Sequence, residues 1–204
     1  LGLILSEQKK DDQAMKYYEK GINIDPTYGM IYNNIGLLFY KHKTAGNIKK
    51  AENLYKKAIS LDETIPEAHN NLGNLYDYLD KIKDAIDCYK RAIDINPKFS
   101  YAHHNLGSAY VAIGKFSKAK KHFRESIKLN PSFTVTHRSL SRITKYTDND
   151  EHFIELKKIY ENVDINDSEK RIELGFALGK AYEDTKNFDQ SFTHYKEANL
   201  LQRK

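Results

Sequence analysis

Asn34, Asn71 and Asn105 are the residues of this chain whose type and spacing most suggest a shared chemical task. Each directly precedes an aliphatic residue, Ile35, Leu72 or Leu106. A carboxamide offers two donors and an acceptor. A row of them can pair with the backbone of an extended peptide whatever its side chains, or with one another between neighbouring helices. Arg138 and Arg142 stand four residues apart and so share one face of a helix. They could hold an acidic peptide or a phosphate-like anion, or pair with acids nearby such as Asp148 and Asp150. Catalytic chemistry is poorly provided for. The eight histidines are scattered, and His137, Asp148, Asp150 and His152 follow no recognised metal spacing. His69 and the pair His103–His104 recur at one place of a repeat, which suggests packing or groove lining. Glu183 and Asp184 are adjacent on a helix and point apart, and no serine lies in a nucleophile elbow. The chain alone is expected to catalyse nothing and to need neither cofactor nor metal.

The asparagines recur because the segments that carry them recur. Pro66 to Phe99 places Leu72, Gly73 and Tyr76 in its first half and Ala85, Tyr89, Ala92 and Pro97 in its second. Ser100 to Phe133 repeats that order with Leu106, Gly107, Tyr110, Ala119, Phe123, Ser126 and Pro131. Leu72, Leu75, Tyr76 and Leu79 are spaced for one amphipathic helix, and Ala85, Ile86, Tyr89, Ala92 and Ile93 for a second. Gly73, Ala85 and Ala92 are small where two helices must approach closely. Pro97 has no amide hydrogen and biases Asn96 away from helix, ending the second one. One such pair cannot bury its own apolar face, whereas stacked copies can. A period of about 34 residues with this order of small, bulky and proline positions resembles the tetratricopeptide repeat. The resemblance implies an all-α, right-handed α-solenoid of helix pairs.

On this pattern residues 1–28 are a first repeat lacking the start of its first helix, as expected of a fragment or an incompletely ordered chain. Repeats follow over 29–65, 66–99 and 100–133. In the second, Gly36 stands 15 residues before Ala51, where Gly73 stands 12 before Ala85. The three extra residues are expected in the turn between His42 and Asn47. Residues 134–170 are a degenerate repeat with connecting helices. They contain a polar break over Lys145–Asp150, a helix over Glu151–Glu161, and a cap at Asp167 or Ser168. A final repeat occupies 171–204, with Leu178, Gly179, Tyr182, Ser191, Tyr195 and Ala198 in register.

In tetratricopeptide arrays the first helix of each pair lines a concave groove that binds extended peptides. The resemblance therefore implies an interaction scaffold with a protein or peptide partner. Its groove candidates are Asn33, Asn34, Tyr40, Asn70, Asn71 and Asn74, continued by Tyr78, His104, Asn105 and Ser108, with Arg138 and Arg142 beyond them. The asparagine ladder resembles that of the eukaryotic O-linked N-acetylglucosamine transferase repeats. The carboxylate clamp of the chaperone-binding class is not matched, since Asn70, Val135 and Ser139 stand where that class has two lysines and an arginine. About the last 70 residues, including THRSLSRITKYTDNDEHFIEL and ELGFALGKAYEDTKNFDQSF, are similar to the connecting region of bacterial tetratricopeptide-repeat sulfotransferases. That similarity implies, as an alternative, a non-catalytic arm ahead of a donor-binding domain. No glycine-rich phosphate loop between strand and helix occurs in this chain.

Composition limits the partners. Apolar residues are 40% of 204, which suits a thin helical array, and the net charge is +5. The densest basic run, Lys115 to Lys128, is interrupted by Glu125 and reads as a solvated helix face or, alternatively, a patch for nucleic acid or an anionic membrane. Neither nucleic acid nor membrane is expected as a partner. Cys88 is the sole cysteine, so no intrachain disulfide forms. No apolar run approaches the roughly 18 residues of a membrane span, and the first five residues are too short for a signal-peptide core. A cytoplasmic location is expected; a third reading, self-association through exposed terminal repeats, is expected as an artefact of uncapped ends.

Overall fold

The computed structural model describes residues 1–203, and among them all regular structure is helical. The helices run α1 (Gly2–Glu7), α2 (Asp11–Ile24), α3 (Gly29–His42), α4 (Ala45–Leu61), α5 (Pro66–Tyr78) and α6 (Ile82–Ile95). They continue as α7 (Ser100–Ala112), α8 (Phe116–Leu129), α9 (Thr134–Ile143), α10 (Glu151–Asn162), α11 (Ser168–Asp184) and α12 (Phe188–Gln202). The fold is an α-solenoid of helix pairs. The helices fall into two compact units, one of Leu1–Ala109 and one that begins at Tyr110, inside α7.

In the first unit α1 packs on α2, α3 on α4 and α5 on α6. Each contact is set by a glycine of the first helix against a tyrosine ring of the second. A Cβ added at Gly73 would lie 2.6 Å from the Tyr89 ring, and one at Gly36 would lie 2.7 Å from Tyr55. Gly2 meets Tyr18 in the same way, and in the second unit Gly179 meets Tyr195. Ala14, Ala51 and Ala85 are fully buried on the second helices. Small residues let the axes approach, and the rings fill the space that this leaves.

The turns are as periodic as the helices. Seven residues after each of Gly2, Gly36, Gly73, Gly107 and Gly179 comes a left-handed residue: Lys9, Lys43, Asp80, Gly114 and Lys186. The next helix begins two residues later in every case. The three extra residues of the second repeat therefore do not lengthen the turn, contrary to the expectation for His42–Asn47. They extend α4, which has 17 residues where α6 has 14. Three residues are nearly one helical turn, so the insertion leaves Ala51 and Tyr55 on the buried face. Thr44 caps the lengthened helix by accepting from the Asn47 amide.

Between repeats an Asp or Asn side chain accepts from the backbone amide two residues on, at Asp25, Asp62, Asn96 and Asp164. These Asx turns explain how the second repeat does without proline at Glu63. Six residues after Pro26, Glu63, Pro97 and Pro131 a ring bonds back to the carbonyl of that residue, through Tyr32, His69, His103 and His137. The recurrent histidines brace the entry to each first helix.

In the second unit α9 packs on α8 and α11, and α10 packs on α11. Asp150 caps α10 by accepting from the amides of His152 and Phe153, and Asp167 caps α11 by accepting from Lys170. The segment Lys145–Asp150 is less polar than its sequence suggests. Tyr146 is 2% exposed and joins a core with Phe153, Leu156, Leu174 and Leu178. Its amide and Lys145 both bond to Asp184, which fastens the break to the end of α11.

Candidate functional site

Side chains of α3, α5 and α7 meet in the first unit. The ladder asparagines Asn71 and Asn105 bond there to other asparagines of the preceding first helix: Asn71 Nδ2 donates to Asn33 Oδ1 at 3.0 Å. Asn105 Nδ2 donates to Asn70 Oδ1 and Asn74 Oδ1, both at 2.9 Å. Asn33 also donates to Asn34 Oδ1 at 3.2 Å. Asn33, Asn34 and Asn70 are buried, while Asn71, Asn74 and Asn105 are half-buried. Of the two tasks open to the ladder, the geometry displays the bonds between helices. A carboxamide spent in this way is not free for a ligand, although the outer three keep part of their capacity.

Beside the ladder is an open cavity of about 360 Å³. Its walls include Tyr40, Asn74, Tyr78, Asn105 and Ser108, all singled out from sequence. Tyr40 Oη donates to the Asn74 carbonyl at 3.1 Å and Tyr89 Oη to Asn74 Oδ1 at 2.9 Å. Burial, and then the charge of Asp77, raises the Tyr40 phenol above its ordinary value. The structure adds Lys43, Asp77 and Tyr89 to this wall. Lys43 and Asp77 were missed because they sit at helix ends, outside the apolar repeat that marks the other positions. His104 is held neutral, because burial lowers its ring to about 4.

Arg138 and Arg142 belong to the second unit and there take different surroundings. Arg138 pairs with Glu173 at 2.9 Å, and its guanidinium lies 4.2 Å from the centre of the Phe176 ring. Glu173, rather than the suggested Asp148 or Asp150, is therefore its acidic partner, and Asp150 caps α10 instead. Arg142 is exposed and borders a cavity of about 410 Å³ with Lys120, Lys145 and Lys180.

His137 and His152, unassigned in sequence, form a buried chain. His137 Nε2 faces the Pro131 carbonyl at 3.0 Å and must donate to it. Its Nδ1 then accepts from His152 Nε2 at 3.0 Å, and His152 Nδ1 accepts from Tyr146 Oη at 2.7 Å. The direction is forced from one end to the other, with both rings neutral. Burial, then His137 and Arg124, lowers His152 to about 3. Its nitrogens are both engaged, and among the described residues no three His, Cys, Asp or Glu side chains converge as a metal site.

Comparison with known proteins agrees with this architecture. The family profile described as tetratricopeptide repeat matches residues 66–99 and 100–133, and one described as TPR repeat matches 2–43 and 44–77. The chain belongs to the tetratricopeptide repeat proteins. Among solved structures it is similar to PilF of Pseudomonas aeruginosa, with 20% identity and a TM-score of 0.71 over 95% of this chain and 85% of that one. It is also similar to YrrB, described as a TPR protein with an unusual peptide-binding site, at 18% identity and a TM-score of 0.64, covering 91% and 92% of the two chains. The first TPR of Spaghetti (RPAP3), solved with an HSP90 peptide, matches 58% of this chain and 92% of its own at 24% identity and a TM-score of 0.54. At these identities the likeness is one of fold. No curated protein matches. The family profiles end at residue 133, and the comparisons do not carry the similarity of the last 70 residues to sulfotransferase connecting regions. Repeats of this family are typically non-catalytic scaffolds, and none of these likenesses points to an enzymatic activity. Among the described residues no helix is long and apolar enough to cross a membrane.

Proposed function

We propose that this chain is a protein-interaction scaffold whose first unit binds an extended peptide against α3, α5 and α7. The observation that carries the reading is the cavity of about 360 Å³ to which three successive first helices each contribute a polar side chain: Tyr40, Asn74 and Asn105. A peptide crossing these helices would meet the outer carboxamides, Ser108 and the exposed ring of Tyr78. Aromatic and amide groups suit such contact because they supply area and hydrogen bonds at small entropic cost. The solved likenesses whose descriptions mention peptides, YrrB and RPAP3, support a peptide ligand for this fold.

The test is a random peptide library selected on the intact protein, with the enriched sequences measured against Tyr78→Ala. Tyr78 is 48% exposed, so its removal should leave the fold intact. Loss of about tenfold or more in affinity is expected for a contact of hot-spot size. Enriched peptides that bind the variant as tightly as the parent would place the site elsewhere.

A further inference from the structure

The cavity beside the ladder already contains a cation. Lys43 Nζ lies 4.9 Å from the centre of the Tyr78 ring and 5.4 Å from that of Tyr40. The two rings are perpendicular, with centres 6.1 Å apart. An ammonium at this range is attracted by the negative faces of the rings. Lys43 is delivered there by the backbone, since it is the left-handed residue that closes α3, at φ 48°.

Asp77 borders the same space and has no ion-pair partner among the described residues. Partial burial, and then Asp80, raises its carboxyl above the usual range. Three donors of the wall are spent inward, because the Tyr40 and Tyr89 hydroxyls and the Asn105 amide all point to Asn74. Beside the Asn74 amide and the Ser108 and Tyr78 hydroxyls, which suit any polar group, the wall offers a charged ligand two ring faces, the Asp77 carboxylate and the Asn105 carbonyl oxygen once Lys43 moves aside. That set complements a positive charge.

We propose that this cavity receives a basic side chain, lysine or arginine, of the bound peptide, and that Lys43 holds the place until the ligand displaces it. The proposal rests on the peptide-binding reading above and adds the class of residue read. An incoming cation exchanges its ring contacts for those of Lys43 and gains Asp77, with which Lys43 makes no ion pair. The alternative role for Lys43, attraction of a ligand carboxylate, requires the opposite response to its removal.

Three acetylated and amidated glycine–serine peptides, differing only in a central lysine, leucine or glutamate, are titrated into the protein while the tyrosine ring and asparagine amide resonances are followed by NMR. The lysine peptide should shift the Tyr40 and Tyr78 rings. Lys43→Ala should bind it about fivefold more tightly and Asp77→Asn about fivefold more weakly. If the leucine or glutamate peptide binds as well, or Lys43→Ala weakens the lysine peptide, the proposal is overturned while peptide binding stands. If no peptide moves the resonances of Tyr78, Asn74 or Asn105, the proposal and the reading beneath it both fall.

Discussion

Tyr55 and Tyr89 fill equivalent places in successive repeats, yet their hydroxyls meet different fates. Tyr89 Oη donates to Asn74, whereas the fully buried Tyr55 Oη has no hydrogen-bond partner among the described residues. A buried unpaired polar group costs about 1–3 kcal/mol. Tyr55→Phe should therefore raise stability by about 1 kcal/mol, and Tyr89→Phe should lower it by a similar amount, as read from urea unfolding midpoints. Equal effects would show that the two rings share an environment. The sequence marks both tyrosines as packing residues, but it cannot distinguish them. The difference is made by Asn74, which lies across the helix pair 15 residues away from Tyr89.

At the scale of the element, close helix pairing depends on the glycine–tyrosine contact. Gly73→Ala puts a methyl 2.6 Å from a ring that is itself 2% exposed and has nowhere to move. It should destabilise the protein by about 1–3 kcal/mol through overpacking. Gly46 provides the control, because a Cβ there meets nothing within 4 Å. Gly46→Ala should be neutral or stabilising by about 0.5 kcal/mol, from helix propensity alone. Thermal melts of the two variants separate contact from propensity, and matching losses would refute the close-approach account. This element was legible because a residue type repeating at one helical place has one economical explanation. The extension of α4 was not legible, since three extra residues serve equally as loop or as a turn of helix until a cap such as Thr44 and the packing of Ala51 choose.

At the scale of the molecule, the second unit is held together across α9, α10 and their connection by the chain from Tyr146 through His152 and His137 to Pro131. Both histidines are neutral in the fold, and a proton on either would set two donors against each other. His152 falls to about 3 in the fold from an ordinary 6.5, so the unfolded chain binds protons more readily throughout that interval. Stability from this group is full above about 6.5 and is lost as the pH falls from there toward 3. The slope approaches about 1.4 kcal/mol per pH unit for one histidine. The melting temperature should drop on acidification from pH 7 to pH 4. His152→Gln, although less stable at pH 7, should show a shallower drop. An unchanged slope in the variant would mean that other groups carry the acid response.

The amino-acid sequence by itself determined the helical class and the positions of most helices. These follow from local spacing, and the tetratricopeptide pattern repeats one local solution several times. The tertiary structure decided which polar residues are spent on the protein and which remain available. Asn33 and Asn70 are taken by neighbouring repeats, Arg138 by Glu173, and the histidines by backbone carbonyls and one another. Lys43 and Asp77, silent in the pattern, face the cavity. A hydrogen bond or a desolvated charge depends on partners roughly a repeat away in the chain, and only folding brings those partners within reach.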